Sequence, residues 1–128
     1  MKNFSMHWKE SKNPRKQRKY MRNAPLHIRK KFMSCSLSKE LRKKYGMRNI
    51  YLRKGDNVMA TTGQFKKLTG KVNDVDMKNL RAYVDGAENI RKDGTKRFYP
   101  IHPSNLMIIE LNIDDKKRKK ILERKGKK

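Results

Sequence analysis

The sequence predicts a mainly β fold: a small barrel of about five strands, preceded by two short helices and flanked by a basic N-terminal arm and a basic C-terminal helix. Three observations predict it. Short runs of alternating apolar residues fill the middle of the chain, with glycine, proline and Asp-Gly turn signals between them. Helical spacing is confined to the segments on either side. Charge follows the same division: residues 1–31 hold 11 basic and 1 acidic side chains, whereas residues 54–113 hold 10 and 7. A nearly balanced middle between cationic ends reads as a small folded core with basic extensions. The segments are residues 1–22 (arm), 23–49 (two short helices), 50–113 (barrel) and 114–128 (C-terminal helix).

In residues 1–22 the apolar side chains Phe4, Met6, Trp8, Tyr20 and Met21 have no clear period, and Arg15-Lys16-Gln17-Arg18-Lys19 cannot bury itself. The arm is expected to be disordered alone and ordered on a partner; the plainer reading is a solubilising tail. Asn23-Ala24-Pro25 signals a helix start, with Ile28 and Phe32 on one face. Ser34-Cys35-Ser36 breaks that helix. Ser36 is then the expected cap of a second helix running to Tyr45, with Glu40 near its positive end and Leu37, Leu41 and Tyr45 in a stripe. Gly46 stops it. Helices this short need a packing partner.

The expected strands are Asn57–Thr62, Gly70–Asp76, Leu80–Asp85, Arg97–Ile101 and Leu106–Leu111. Turns fall at Gly63, Gly86, Asp93-Gly94 and Pro103. Closing five short strands into a barrel removes the sheet edges. Asp114 and Asp115 suit the start of a last helix, whose only apolar residues are Ile121 and Leu122.

The chain has 128 residues, 36 Lys+Arg and 12 Asp+Glu, for a net charge of +24. Such a chain repels itself and calls for a polyanion, most commonly nucleic acid. Cys35 is the one cysteine, so no intrachain disulfide forms, and no Cys/His cluster has zinc spacing. No metal or other cofactor is expected. The longest apolar run, Leu106-Met107-Ile108-Ile109, is too short for membrane insertion, and the N-terminus has no signal-peptide core.

Residues Lys54-Gly55-Asp56 through Gly63-Gln64-Phe65-Lys66-Lys67-Leu68-Thr69-Gly70-Lys71-Val72 resemble a KOW motif. Lys-Gly-Asp turns into a strand, Gly63 opens a loop carrying Phe65, Lys66 and Lys67, and Gly70 permits a conformation or close approach that a side chain would hinder. Cations and one ring are presented together, suited to phosphates and to an unpaired base. Further blocks extend the resemblance: Asn23-Ala24-Pro25-Leu26-His27-Ile28-Arg29-Lys30-Lys31, Leu37–Tyr45, Tyr99-Pro100-Ile101-His102-Pro103-Ser104-Asn105 and Lys119–Arg124. In this order they resemble the archaeal and eukaryotic branch of the universal large-subunit ribosomal protein twenty-four, whose eukaryotic members are called large-subunit protein twenty-six. The resemblance covers roughly residues 12–125. The short C-terminus and the opening Pro14–Lys19 look archaeal.

The resemblance implies an SH3-like barrel with basic extensions, a non-catalytic constituent of the large ribosomal subunit, and binding of ribosomal RNA near its 5′ region, by the polypeptide exit tunnel. It implies a role in subunit assembly and a cytoplasmic location on the ribosome. Partners would be ribosomal RNA and neighbouring ribosomal proteins, with no small-molecule substrate. The family usually has glycine where this chain has Lys67, and lysine disfavours a positive φ.

The candidate RNA contacts are Lys12, Arg15, Lys16, Arg18, Lys19, Arg22, His27, Arg29, Lys30, Lys31, Arg53, Lys54, Phe65, Lys66, Lys67, Lys71, His102, Lys116, Lys117, Arg118 and Lys120. Gly55, Gly63 and Gly70 are the turn glycines. No catalytic residue is expected: His102 has no nucleophile or carboxylate set beside it by any motif, and reads as fixing a turn or touching RNA. Asp74 and Asp76 read as surface charge rather than an acid/base pair. Phe4 and Trp8 are either anchors in an RNA or protein crevice or incidental. The alternative function is a KOW-type transcription elongation or RNA-binding factor.

Overall fold

The computed structural model describes residues 4–8 and 10–126; the parts of the arm and C-terminal segment at residues 1–3, 9 and 127–128 lie outside them. The arm differs from its expectation. Asn13 accepts a hydrogen bond from the Arg15 amide and Pro14 fills the first turn, which starts helix α1 (Pro14–Asn23). Tyr20 on α1 meets Phe4 and Trp8 at ring-centroid distances of 5.0 Å each, and Phe32 at 6.3 Å. Scattered aromatics thus become one cluster that fastens the arm.

Helix α2 (Leu26–Phe32) follows Pro25 as expected. Strand β1 (Ser34–Leu37) occupies the supposed break. Helix α3 (Lys39–Tyr45) therefore starts later than expected, capped by Ser38 rather than Ser36, and ends at Gly46 with φ 61°. Leu37 belongs to the strand, while Leu41 and Tyr45 still pack on the core. The remaining elements are β2 (Asn49–Tyr51), β3 (Asn57–Ala60), β4 (Thr69–Asp76), β5 (Arg81–Val84), β6 (Glu88–Ile90), β7 (Lys96–Phe98), a 3₁₀ turn at Pro103–Asn105, β8 (Leu106–Glu110) and α4 (Lys116–Gly126). The hairpin expected at Asp93-Gly94 joins β6 to β7, and Asp93 accepts from the Thr95 amide and hydroxyl.

Six strands form one mixed sheet in the order β2-β1-β8-β3-β4-β5. β1 runs parallel to β8, pairing Ser36 with Met107, and antiparallel to β2. The expected closed barrel is not formed. The sheet ends at β2 and β5, and only a single bridge, Ala82 to Ile101, extends it beyond β5. The added β1 and β2 lengthen the sheet along the side of β8 away from β3. Alternation decides which side chains enter the core: Cys35 and Leu37, Val58 and Ala60, Ala82 and Val84, Leu106 and Ile108 are all buried. Val72 joins them from β4 before a register shift between Val72 and Asp74.

α4 is held by a buried ion pair. Asp115 caps it by accepting from the Lys117 amide. Leu122 is buried, and so is Arg118, whose Nη1 and Nη2 donate to Asp56 Oδ1 and Oδ2 at 2.6 and 2.8 Å. Asp56 also accepts from the Arg53 and Asn112 amides, and Arg118 donates to the Asn112 and Tyr51 carbonyls. Both charges are therefore paired and almost fully hydrogen-bonded, which a buried pair requires.

Candidate nucleic-acid interface

The loop between β3 and β4 is tightly folded. The Lys67 amide donates to the Ala60 carbonyl at 2.8 Å and the Leu68 amide to the Phe65 carbonyl at 3.0 Å. Gly63 (φ 92°) and Lys67 (φ 71°) both adopt left-handed backbone, so lysine keeps the conformation that glycine would take easily. Lys66 and Lys67 are exposed at its tip. At Gly70 a Cβ would stand 2.3 Å from the Asp85 carbonyl oxygen, so close strand approach excludes any side chain there. Phe65 is half-buried, packed on the core and 5.2 Å from the Tyr99 ring. Its ring is thus partly engaged by the protein and partly exposed in the recess beside the loop.

His102 fixes a turn. Its Nδ1 lies 2.8 Å from the Ser104 hydroxyl and 3.3 Å from the Ser104 amide, capping the 3₁₀ turn. Burial, aided by the Arg81 charge, holds its pKa below the ordinary histidine value. Neutral His102, Arg81 and Gln64 line one small recess of about 120 Å³ beside the loop.

The cations fall into separate groups. Arg15, Arg18, Lys19 and Arg22 line one open groove of α1, and Lys12 and Lys16 are also exposed. Lys30, Arg53 and Lys54 border another groove, floored by Met33, Leu52 and Val75. Lys71 pairs across from Asn57 at that end of β3, whereas Lys66 and Lys67 sit at the far end. His27, Lys31, Lys116, Lys117 and Lys120 are exposed on α2 and α4. Each of these grooves gathers only some of them.

One candidate is corrected, and two others are partly engaged within the protein. Arg118 is buried and spent on Asp56, so it cannot reach RNA. Arg29 donates to the Ala24, Arg22 and Lys78 carbonyls, joining α1 and α2 to the turn after β4. Arg53 is ion-paired with Asp115 at the start of α4. Conversely, Arg91, Lys92, Lys96 and Arg97 are exposed on the β6–β7 hairpin and are absent from the sequence-predicted contacts. The Asp93-Gly94 turn between them is the signal that could have found them. Among the described residues three ion pairs form, so most of the positive charge faces solvent without a carboxylate. No group of three His, Cys, Asp or Glu among those residues could hold a metal ion, and no described helix is long and apolar enough to cross a membrane.

The family model of the eukaryotic ribosomal proteins L26 and their archaeal counterparts, numbered twenty-four, matches residues 11–125. The chain belongs to this family. As a member of the L26 family it is a structural constituent of the ribosome rather than an enzyme. The match spans α1 through almost all of α4, so the basic helices at both ends belong to the family's unit as much as the sheet does.

Proposed function

We propose that the chain binds large-subunit ribosomal RNA at several surfaces and staples RNA segments together during assembly. The observation that carries the reading is the excess of exposed, unpaired cations on α1, α2, α4 and the β3–β4 loop of a chain of this ribosomal family. Phosphate contacts release counterions and position the protein, while RNA shape supplies specificity. We read β3, β4, β5 and β8 with the 3₁₀ turn as an SH3-like unit whose loop carries Lys66 and Lys67 to a phosphate backbone. Lys12, Arg15, Lys16, Arg18, Lys19 and Arg22 form a second surface, and His27, Lys30, Lys31, Lys54 and Lys71 a third. Lys116, Lys117 and Lys120 add the exposed side of α4. The resemblance to the family implies the 5′ region of the RNA near the exit tunnel and a cytoplasmic ribosome. Neighbouring ribosomal proteins would be further partners. No observation favours the transcription-factor alternative.

The test is sedimentation of tagged protein from a lysate, repeated after a high-salt wash. Retention with the large subunit through the wash is the expected result. Free protein at low salt, or co-migration with polymerase, would overturn the reading.

A further inference from the structure

The N-terminal segment and α1 enclose a small cleft of about 190 Å³ whose walls are unlike the rest of the cationic surface. Phe4, Trp8 and Tyr20 line it together with Lys16, Lys19 and Asn23; Tyr20 packs between the other two rings, which leaves the outer sides of Phe4 and Trp8 for a ligand. Trp8 and Tyr20 are stacked at 18° between planes, and Phe4 leans on Tyr20 at 32°. Two of the three rings, Phe4 and Trp8, come from residues ahead of the family match at 11–125. α1 contains no acidic residue, and Arg15, Arg18 and Arg22 continue the positive charge along it.

We propose that this cleft receives one unstacked base of a single-stranded RNA segment, with the phosphates on either side held by Lys16 and Lys19. The inference rests on the RNA-binding reading and adds a base-specific contact to it. The volume suits a single planar ring system rather than a folded segment. Aromatic faces beside paired ammonium groups match a nucleotide, which carries a π-face and an adjacent anion. An apolar peptide side chain would use the rings but leave the lysines unmatched. An acidic peptide would use the lysines but not the rings. Asn23 can hydrogen-bond a base edge, as recognition of splayed-out bases requires.

Trp8 is the chain's single tryptophan, so its fluorescence reports on this cleft alone. The full chain would be titrated with hexauridylate, with an abasic ribose-phosphate hexamer of equal charge, and with hexaglutamate. Hexauridylate should quench Trp8 and bind about tenfold more tightly than the abasic hexamer. Measured by filter binding, which needs no tryptophan, Trp8→Leu should remove that tenfold difference, and Trp8→Phe should keep part of it. Trp8 lies outside the sheet core, and unchanged thermal unfolding of both variants would show that the fold is intact. Equal binding of the abasic hexamer, or equal quenching by hexaglutamate, would overturn the proposal. Normal retention on the large subunit without base-dependent quenching would sink the cleft and leave the RNA-binding reading standing. Base-dependent quenching in a protein that never sediments with ribosomes would keep the cleft and overturn only the ribosomal part of the reading.

Discussion

Lys67 shows how one residue can carry a conformational cost for a charge. A left-handed L-residue costs about 1–2 kcal/mol relative to ordinary backbone. Lys67→Gly should therefore raise stability by about 1 kcal/mol, reduced somewhat by glycine's greater freedom when unfolded. Lys66, which does not have a positive φ, gives the contrast: Lys66→Gly should lower stability. Urea midpoints for the two variants would check this, and equal shifts of one sign would contradict it. Cys35 behaves oppositely, as a residue without exposure. Burial, assisted by the Asp56 charge, pushes its thiol up to about 12 from 9.0, and Sγ donates to the Leu106 carbonyl. A raised acid favours the neutral form in the folded state. Its contribution is thus complete below pH 9 and is lost as pH climbs toward 12. Native protein should resist a disulfide-forming thiol reagent at about pH 7.5 and label only as fast as the core opens. Labelling faster than unfolding, measured with and without urea, would show that Cys35 is accessible.

Among the elements, α4 depends most on one distant partner. Arg118 and Asp56 are 62 positions apart in sequence yet form a two-pronged pair inside the protein. Arg118→Met leaves the Asp56 carboxylate buried without its cation, at an expected cost of about 3–5 kcal/mol. In an Asp56→Asn background the same change should cost much less, because no charge is stranded. Urea denaturation of the four proteins in this cycle measures the coupling; additive costs would mean that the pair is not coupled. This pair also marks where sequence reading stops. Lys116 to Lys120 form one basic run, and nothing local separates Arg118 from its neighbours. The same holds for β1. Ser-Cys-Ser-Leu offers two apolar residues among serines, and its parallel partner β8 lies about seventy residues away. β2 is three residues long. By contrast β3, β4, β5 and β8 are legible from alternation. Ser38 lies within reach of the expected cap at Ser36, and the Gly46 stop and the Asp93-Gly94 turn are local chemistry that the sequence displays directly. The α1 start is displayed too, in Asn13-Pro14, but the charge run behind it obscures the signal.

For the whole molecule, the informative quantity is charge that the fold does not use. The net charge is +24, and the internal ion pairs consume little of it. Composition makes the kind of partner legible, because solvated cations keep their character whatever the fold. It does not sort exposed cations from structural ones. That distinction places Arg118, Arg29 and Arg53 inside the protein's own bonding and leaves Arg15, Arg18 and Arg22 outside it. The sorting has a quantitative consequence. Each phosphate contact contributes roughly 0.7 to 0.9 to the slope of log affinity against log salt. Replacing Arg15, Arg18 and Arg22 together with glutamine should flatten the slope for structured large-subunit RNA by about 2 to 3 and weaken binding similarly across RNA sequences. Replacing the hairpin cations Arg91, Lys92, Lys96 and Arg97 should flatten it by a comparable amount only if that hairpin also meets RNA. Filter binding from about 50 to 300 mM potassium chloride, with the RNA and the temperature fixed, separates these cases. An unchanged slope in the α1 variant would mean that α1 faces solvent or protein on the ribosome, and the electrostatic stapling would then have to run through the β3–β4 loop, α2 and α4 alone.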